Sequence, residues 1–165
     1  MDWMREQQES ERFMAVQLRA FFLTALLSLV CADRARADFK GNLVIEVDRL
    51  NNQKGEVCFK LFSGSQGFPY GNESAIKRQC VGITDNSLTI SLKNIPAGSY
   101  AVSVFHDRNG DRKLNRNSLG MPTEGYGFSN NPIVSRGVPN YGQCVFLVAG
   151  SNTSIKINMK YSVGN

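Results

Sequence analysis

Between Asp107 and Ser118 the chain reads D-R-N-G-D-R-K-L-N-R-N-S, which puts oxygen-bearing side chains at loop positions one, three, five and nine: Asp107, Asn109, Asp111 and Asn115. Alternate spacing suits a hard cation, because a chain wrapping the ion points every second residue inward. Lys113 offers its backbone carbonyl at position seven, and Leu114 stands where EF-hand-type loops carry an apolar anchor. The expected ion is calcium, held at the weak, extracellular end of the affinity range. Two positions depart from that pattern. Position six, usually glycine for the sharp turn, is Arg112, and position twelve, usually a bidentate acid, is Ser118. Glu124 is the candidate to fold back and replace the missing carboxylate. Arg108, Arg112, Lys113 and Arg116 face only two acids in the window, a field that repels a divalent cation. The competing reading is a loop rich in Asx turns, whose side chains bond their own backbone.

His106, the single histidine, precedes this loop. A hydrolase would need a nucleophile or metal beside it, and no G-x-S-x-G elbow occurs. Neighbours on a strand point to opposite faces, so His106 and Asp107 need not share a site. After the loop, Gly120 to Pro132 interleaves glycine with Tyr126 and Phe128. Either these rings present a binding surface for glycan or protein, or an Ω-like loop packs them onto the domain, which is the favoured reading. Cys58, Cys80 and Cys144 follow no zinc spacing. Three cysteines allow three pairings. Cys58 with Cys80 is preferred, a closure worth about 3 kcal/mol in the chain-entropy model, with Cys144 left as a buried thiol.

The elements that must position these residues are strands. Phe39, Leu43, Ile45 and Val47 alternate with polar residues, and Asn51 to Gly55 turns the chain into a second strand with Val57, Phe59 and Leu61 inward, an expected opening hairpin. Gly64 to Asn72 is a loop by composition. Ser74 to Gly82 has no single reading; its SAIKRQ portion is compatible with a helical turn before a short strand. Leu88, Ile90 and Leu92 alternate, Ile95 to Gly98 forms a tight turn, and Tyr100, Val102 and Val104 alternate into His106. From 107 to 141 no strand pattern holds, and loops that long tend to be functional or disordered. Gln143 to Ala149 and Ser154 to Tyr161 are expected to close the domain as a final hairpin. About seven short strands argue for an all-β fold, a single antiparallel β-sandwich of transthyretin-like or Ig-like type.

Ala20 to Ala32 is an apolar run, preceded by Arg12 and Arg19 and followed by Ala35-Arg36-Ala37. That order predicts a signal peptide over 1–37, cleaved before Asp38, and an exported protein of the periplasm or extracellular space. The run is shorter than the roughly 20 apolar residues of a membrane span, so the mature chain is expected to have none. Val30 before Cys31 disfavours lipoprotein processing. Met14 is an alternative start that would give a more ordinary leader. Removing 37 of 165 residues leaves one domain, 38–165, with the net charge still +5. Its cations are scattered and carry no recognition motif, which argues against nucleic acid as a partner.

The run from Ile95 to Pro132, with its HD-x-N-x-D and EGYGFSNN stretches, resembles a family of exported bacterial proteins known as domain of unknown function 2141. The similarity extends from about Gly41 to Tyr161. That family has aspartate where Asn115 stands and glycine where Arg112 stands, and both departures subtract from a calcium reading. PAGSYAVSV is also similar to a strand of transthyretin-like and carboxypeptidase-regulatory-like sandwiches. The resemblance implies export and a β-sandwich, and transfers no activity. The expected function is an exported, non-enzymatic binding or structural module, stabilised by calcium. The alternative is a small periplasmic metal-dependent enzyme or carrier using His106, Asp107 and Glu124.

Overall fold

A computed structural model describes residues 39–133 and 137–162, all within the unit Asp38–Asn165. The predicted signal segment, 1–37, lies outside the described residues. Eight strands follow in order: β1 (Lys40–Asp48), β2 (Glu56–Phe62), β3 (Lys77–Gly82), β4 (Leu88–Pro96), β5 (Gly98–Asp107), β6 (Tyr126–Phe128), β7 (Phe146–Val148) and β8 (Asn152–Asn158). A single helical turn, α1 (Tyr141–Cys144), precedes β7 and is closed by a reciprocal Asn140–Gln143 capping box. The strands form two packed sheets, β4-β1-β8 and β3-β2-β5-β6, with β7 alongside the start of β5. The all-β sandwich is therefore as expected.

Alternation explains the core. Leu43, Ile45 and Val47 of β1 are fully buried and lie opposite Leu92, Ile90 and Leu88 of β4. Val57, Phe59 and Leu61 of β2 oppose His106, Val104 and Val102 of β5 on the facing sheet. These two rows meet in one apolar cluster, the driving force for stacking the sheets. Phe39 does not join them; it is 44% exposed. The inward row begins instead at Gly41, which is buried because any Cβ there would strike the Gly150 carbonyl.

Strand pairing differs from expectation in three places. β1 and β2 are not a hairpin: β1 pairs with β4 and β8, while β2 pairs with β3 and β5. The connection through Arg49 and Gly55 crosses between sheets, and alternation cannot distinguish the two because both bury the same face. Nor do the last strands form a hairpin. β7 pairs with β5, whereas β8 runs parallel to β1, so the sandwich is not wholly antiparallel. Finally, the stretch 107–141 contains β6, and Ser74–Gly82 resolves into β3. β6 has only three residues, too few to show a period. It lies over the core because Gly127 approaches Ile157 and Val104 where a side chain would collide.

The outer face of the larger sheet carries a second, smaller core of Ala101, Phe128 and Cys144 packed with Phe68 and Tyr141. Burial raises the Cys144 thiol to about 11, so at pH 8 it is protonated and enclosed. Iodoacetamide at pH 8 is expected to leave the Cys144 peptide unmodified in native protein and to label it fully in denaturant. Native labelling at the denatured rate, read by peptide mass spectrometry, would contradict this burial.

Candidate functional site

Three features build the loop after β5. At its start, Asp107 is fully buried and ends the strand. Its Oδ1 accepts from the Gly110 N–H at 2.8 Å and its Oδ2 from the Arg112 N–H at 2.7 Å. The next oxygens repeat the device. Asn109 Oδ1 accepts from the Asp111 N–H, and Asp111 Oδ1 from the Lys113 N–H. These are Asx turns in series. Asp111 Oδ2 accepts from the amides of Asn109 and Asn115. The Asn115 amide, followed by the Lys113 N–H, holds the Asp111 carboxyl below the usual carboxylate range.

The second feature is the conformation at position six. Arg112 has φ 61°, the left-handed region that glycine favours, so the sharp turn is made without glycine. A non-glycine residue held there costs about 1–2 kcal/mol.

The third is Glu124, only 3% exposed. A short antiparallel return, with Asn117 N–H bonded to Met121 O and Thr123 N–H to Asn115 O, brings it back beside the loop. Glu124 Oε1 accepts from the Arg108 N–H at 2.9 Å and Oε2 from the Asn115 N–H at 3.1 Å. Glu124 thus lies against the loop's backbone. Asn115 Oδ1 is buried with no hydrogen-bond partner among the described residues. Two of the four nearby cations are directed elsewhere: Arg108 donates to Thr123 O, and Arg116 donates to Gly120 O and to the Tyr70 hydroxyl.

His106 lies on the opposite face of β5, in the sandwich interior, with no exposure. Its Nδ1 is 2.8 Å from the Tyr161 hydroxyl and its Nε2 2.7 Å from the Lys54 carbonyl. Among the described residues, the one group of three or more His, Cys, Asp or Glu ligand atoms gathered within 4.8 Å is Glu56, Cys58 and Cys80. The structure therefore gathers neither His106, Asp107 and Glu124 nor Asp107, Asp111 and Glu124 within that distance, so a cation at the loop would require these carboxylates to draw closer. The Glu56 group offers no thiolate either, because Cys58 and Cys80 are joined as a disulfide across the β2–β3 pair. Phe128 belongs to the small outer core, while Tyr126 is half-buried.

What sequence reading missed is the outer face beside this loop. Lys60, Arg78, Arg112 and Phe105 come together there from three strands and the loop. The cue was period-two alternation on the polar side of β2 and β3, where Lys60 and Arg78 each occupy an outward position.

The family model described as "Uncharacterized protein conserved in bacteria (DUF2141)" matches residues 45–156. No curated protein and no solved structure matches the chain.

Proposed function

The chain belongs to the bacterial family DUF2141, and on that premise we propose that it is an exported, non-enzymatic binding or structural module whose 107–124 loop is stabilised by calcium. The observation that carries the calcium reading is the buried, unpartnered Asn115 Oδ1, in a loop whose Asp107, Asp111 and Glu124 carboxylates already accept loop N–H groups. An orphaned buried acceptor costs free energy unless a donor or cation meets it. The donor set is entirely oxygen, as a hard cation requires. Asp107, Asn109, Asp111, the Lys113 carbonyl, Asn115 and Glu124 would hold the ion. Both oxygens of Asp107 and of Glu124, and Asp111 Oδ1, accept one N–H each and keep a lone pair for it, whereas Asp111 Oδ2 already accepts two. When bound, calcium would supply charge neutralisation that fixes the loop against β5.

The enzyme alternative draws no support from the geometry. A general base needs a free ring nitrogen within reach of substrate, and both nitrogens of His106 have partners inside the sandwich. Export rests on the leader pattern in 1–37, and it makes millimolar calcium available to the loop.

The test is thermal unfolding in about 2 mM calcium and in chelator. For a dissociation constant of about 0.1 mM, binding contributes about 1.8 kcal/mol, a rise of several degrees in Tm for a domain of this size. The Asp107→Ala/Asp111→Ala variant should show no calcium-dependent shift. An unshifted wild type would remove calcium from the proposal and leave a loop held by its own Asx turns.

A further inference from the structure

A groove crosses the outer face of the larger sheet, between the 64–72 loop and the 107–116 loop. It comprises two adjoining depressions of about 500 and 260 Å³ that share Lys60, Asn72, Phe105 and Arg112. Its floor is a cross-strand row, Cys80–Cys58–Phe105–Tyr126, running from β3 to β6. Beside it runs a second row, Arg78–Lys60–Ser103–Phe128. Among the described residues, five cations line the whole, Lys60, Arg78, Arg112, Lys113 and Arg116, against a single carboxylate, Glu56.

This charge arrangement works against folding. Lys60 and Arg78 are directly opposed on neighbouring strands, and like charges so placed repel. Lys60 is half-buried, and its Nζ donates to the Tyr70 carbonyl at 2.7 Å. Burial, then Arg78, lower its pKa from the ordinary lysine value. Arg116 is pre-set at the groove's other side by its bonds to Gly120 and Tyr70, with its guanidinium 5.5 Å from the Tyr70 ring centre.

We propose that this groove binds an acidic glycan, a sugar chain carrying carboxylates or sulfates. Four strands spaced about 4.8 Å apart put roughly 14 Å between its flanks. Cations along that length suit a chain of repeated anionic groups better than one oxyanion. The floor of Phe105 and Tyr126 rings beside the disulfide offers an apolar platform for the C–H face of a sugar ring. An acidic peptide fits less well: the groove lies across a sheet face whose backbone is already paired with neighbouring strands, leaving no ladder to extend. Charge-assisted bonds from guanidinium and ammonium groups to carboxylate or sulfate would supply orientation. The proposal rests on the domain being a binding module, and it does not require calcium.

The test is calorimetric titration of the purified protein, in chelator and again in calcium, with a hexauronate, a heparin hexasaccharide, neutral maltohexaose and hexaglutamate. Binding of either or both acidic sugars is expected, the pair separating carboxylate from sulfate preference, with none for maltohexaose. Arg78→Ser/Arg112→Gly, at two exposed positions, should weaken binding at least tenfold, and Lys60→Ser should do likewise. Lys93→Ser, on the other sheet, should leave it within twofold. Absence of acidic-sugar binding, equal weakening by Lys93→Ser, or hexaglutamate binding as tightly would each overturn the proposal. Sugar binding in chelator without a calcium-dependent Tm shift would sink the calcium reading alone. The reverse pattern would sink the groove alone.

Discussion

Replacing Asp107 by alanine is expected to lower the unfolding free energy by about 3 kcal/mol. Its carboxylate is fully buried and closes the first turn of the loop by accepting the Gly110 and Arg112 N–H groups. Hydrogen bonds to a charged acceptor contribute about 1.5–3 kcal/mol each, and removing the acceptor strands both donors. Gly110 and Arg112 are themselves exposed, so water recovers part of the loss and the total falls at the low end of the roughly 3–6 kcal/mol that two such bonds sum to. Asp107→Asn keeps one acceptor oxygen and should cost about half as much. Urea unfolding checks this: the midpoint should fall with an unchanged slope. A loss under about 0.5 kcal/mol, the ordinary level for a surface change, would show that the loop does not depend on Asp107. The bonds matter for function because the same residue would be the first ligand of the ion.

Gly55→Ala should cost about 4 kcal/mol, and the reason lies in a contact made across the chain. Gly55 has φ +81° and packs on the backbone where the loop begins: a Cβ would collide with the Asp107 carbonyl and come within 2.8 Å of Arg108 Cα. Left-handed backbone accounts for about 1–2 kcal/mol of the cost, and forcing an atom into filled space for about 1–3 kcal/mol. Neither neighbour is a flexible side chain, so no rotamer change relieves it. Gly110→Ala separates the two contributions, since Gly110 has φ +77° with open space around it. It should lose only the first. Chemical denaturation of both variants decides the matter: equal losses would mean that the approach of Gly55 to Asp107 carries no weight. Displacing Asp107 from below should also blunt the calcium-dependent rise in Tm.

Local chemistry was legible without coordinates wherever neighbours in sequence settle the outcome. The Asx series Asp107, Asn109 and Asp111 bonds within five residues of itself, so its spacing alone foretold the turn. Alternation in β1, β2 and β5 foretold which residues face the sandwich interior, Phe39 excepted, because a strand's period is independent of its partner; it did not foretell the burial of outward-facing Cys58, Phe62, Ala101 and Asp107. Cys58 and Cys80 became a disulfide pair for a reason spacing did not contain: they are opposite residues of β2 and β3.

Residue order by itself determined the all-β class, the inward face of most strands and the polar loop. Tertiary structure alone decided which strands pair, the parallel β1–β8 contact, the burial of His106 between Tyr161 and Lys54, and the union of Lys60, Arg78 and Arg112 in one groove. The physical reason is that pairing depends on which apolar faces stack and which backbone edges meet. Those are many-body choices between segments far apart in sequence, and any one strand's alternation is compatible with several of them. The loop after Asp107 shows both halves of this. Its turns are written locally, but the carboxylate of Glu124 and the close backbone of Gly55 reach it only once the sandwich has formed.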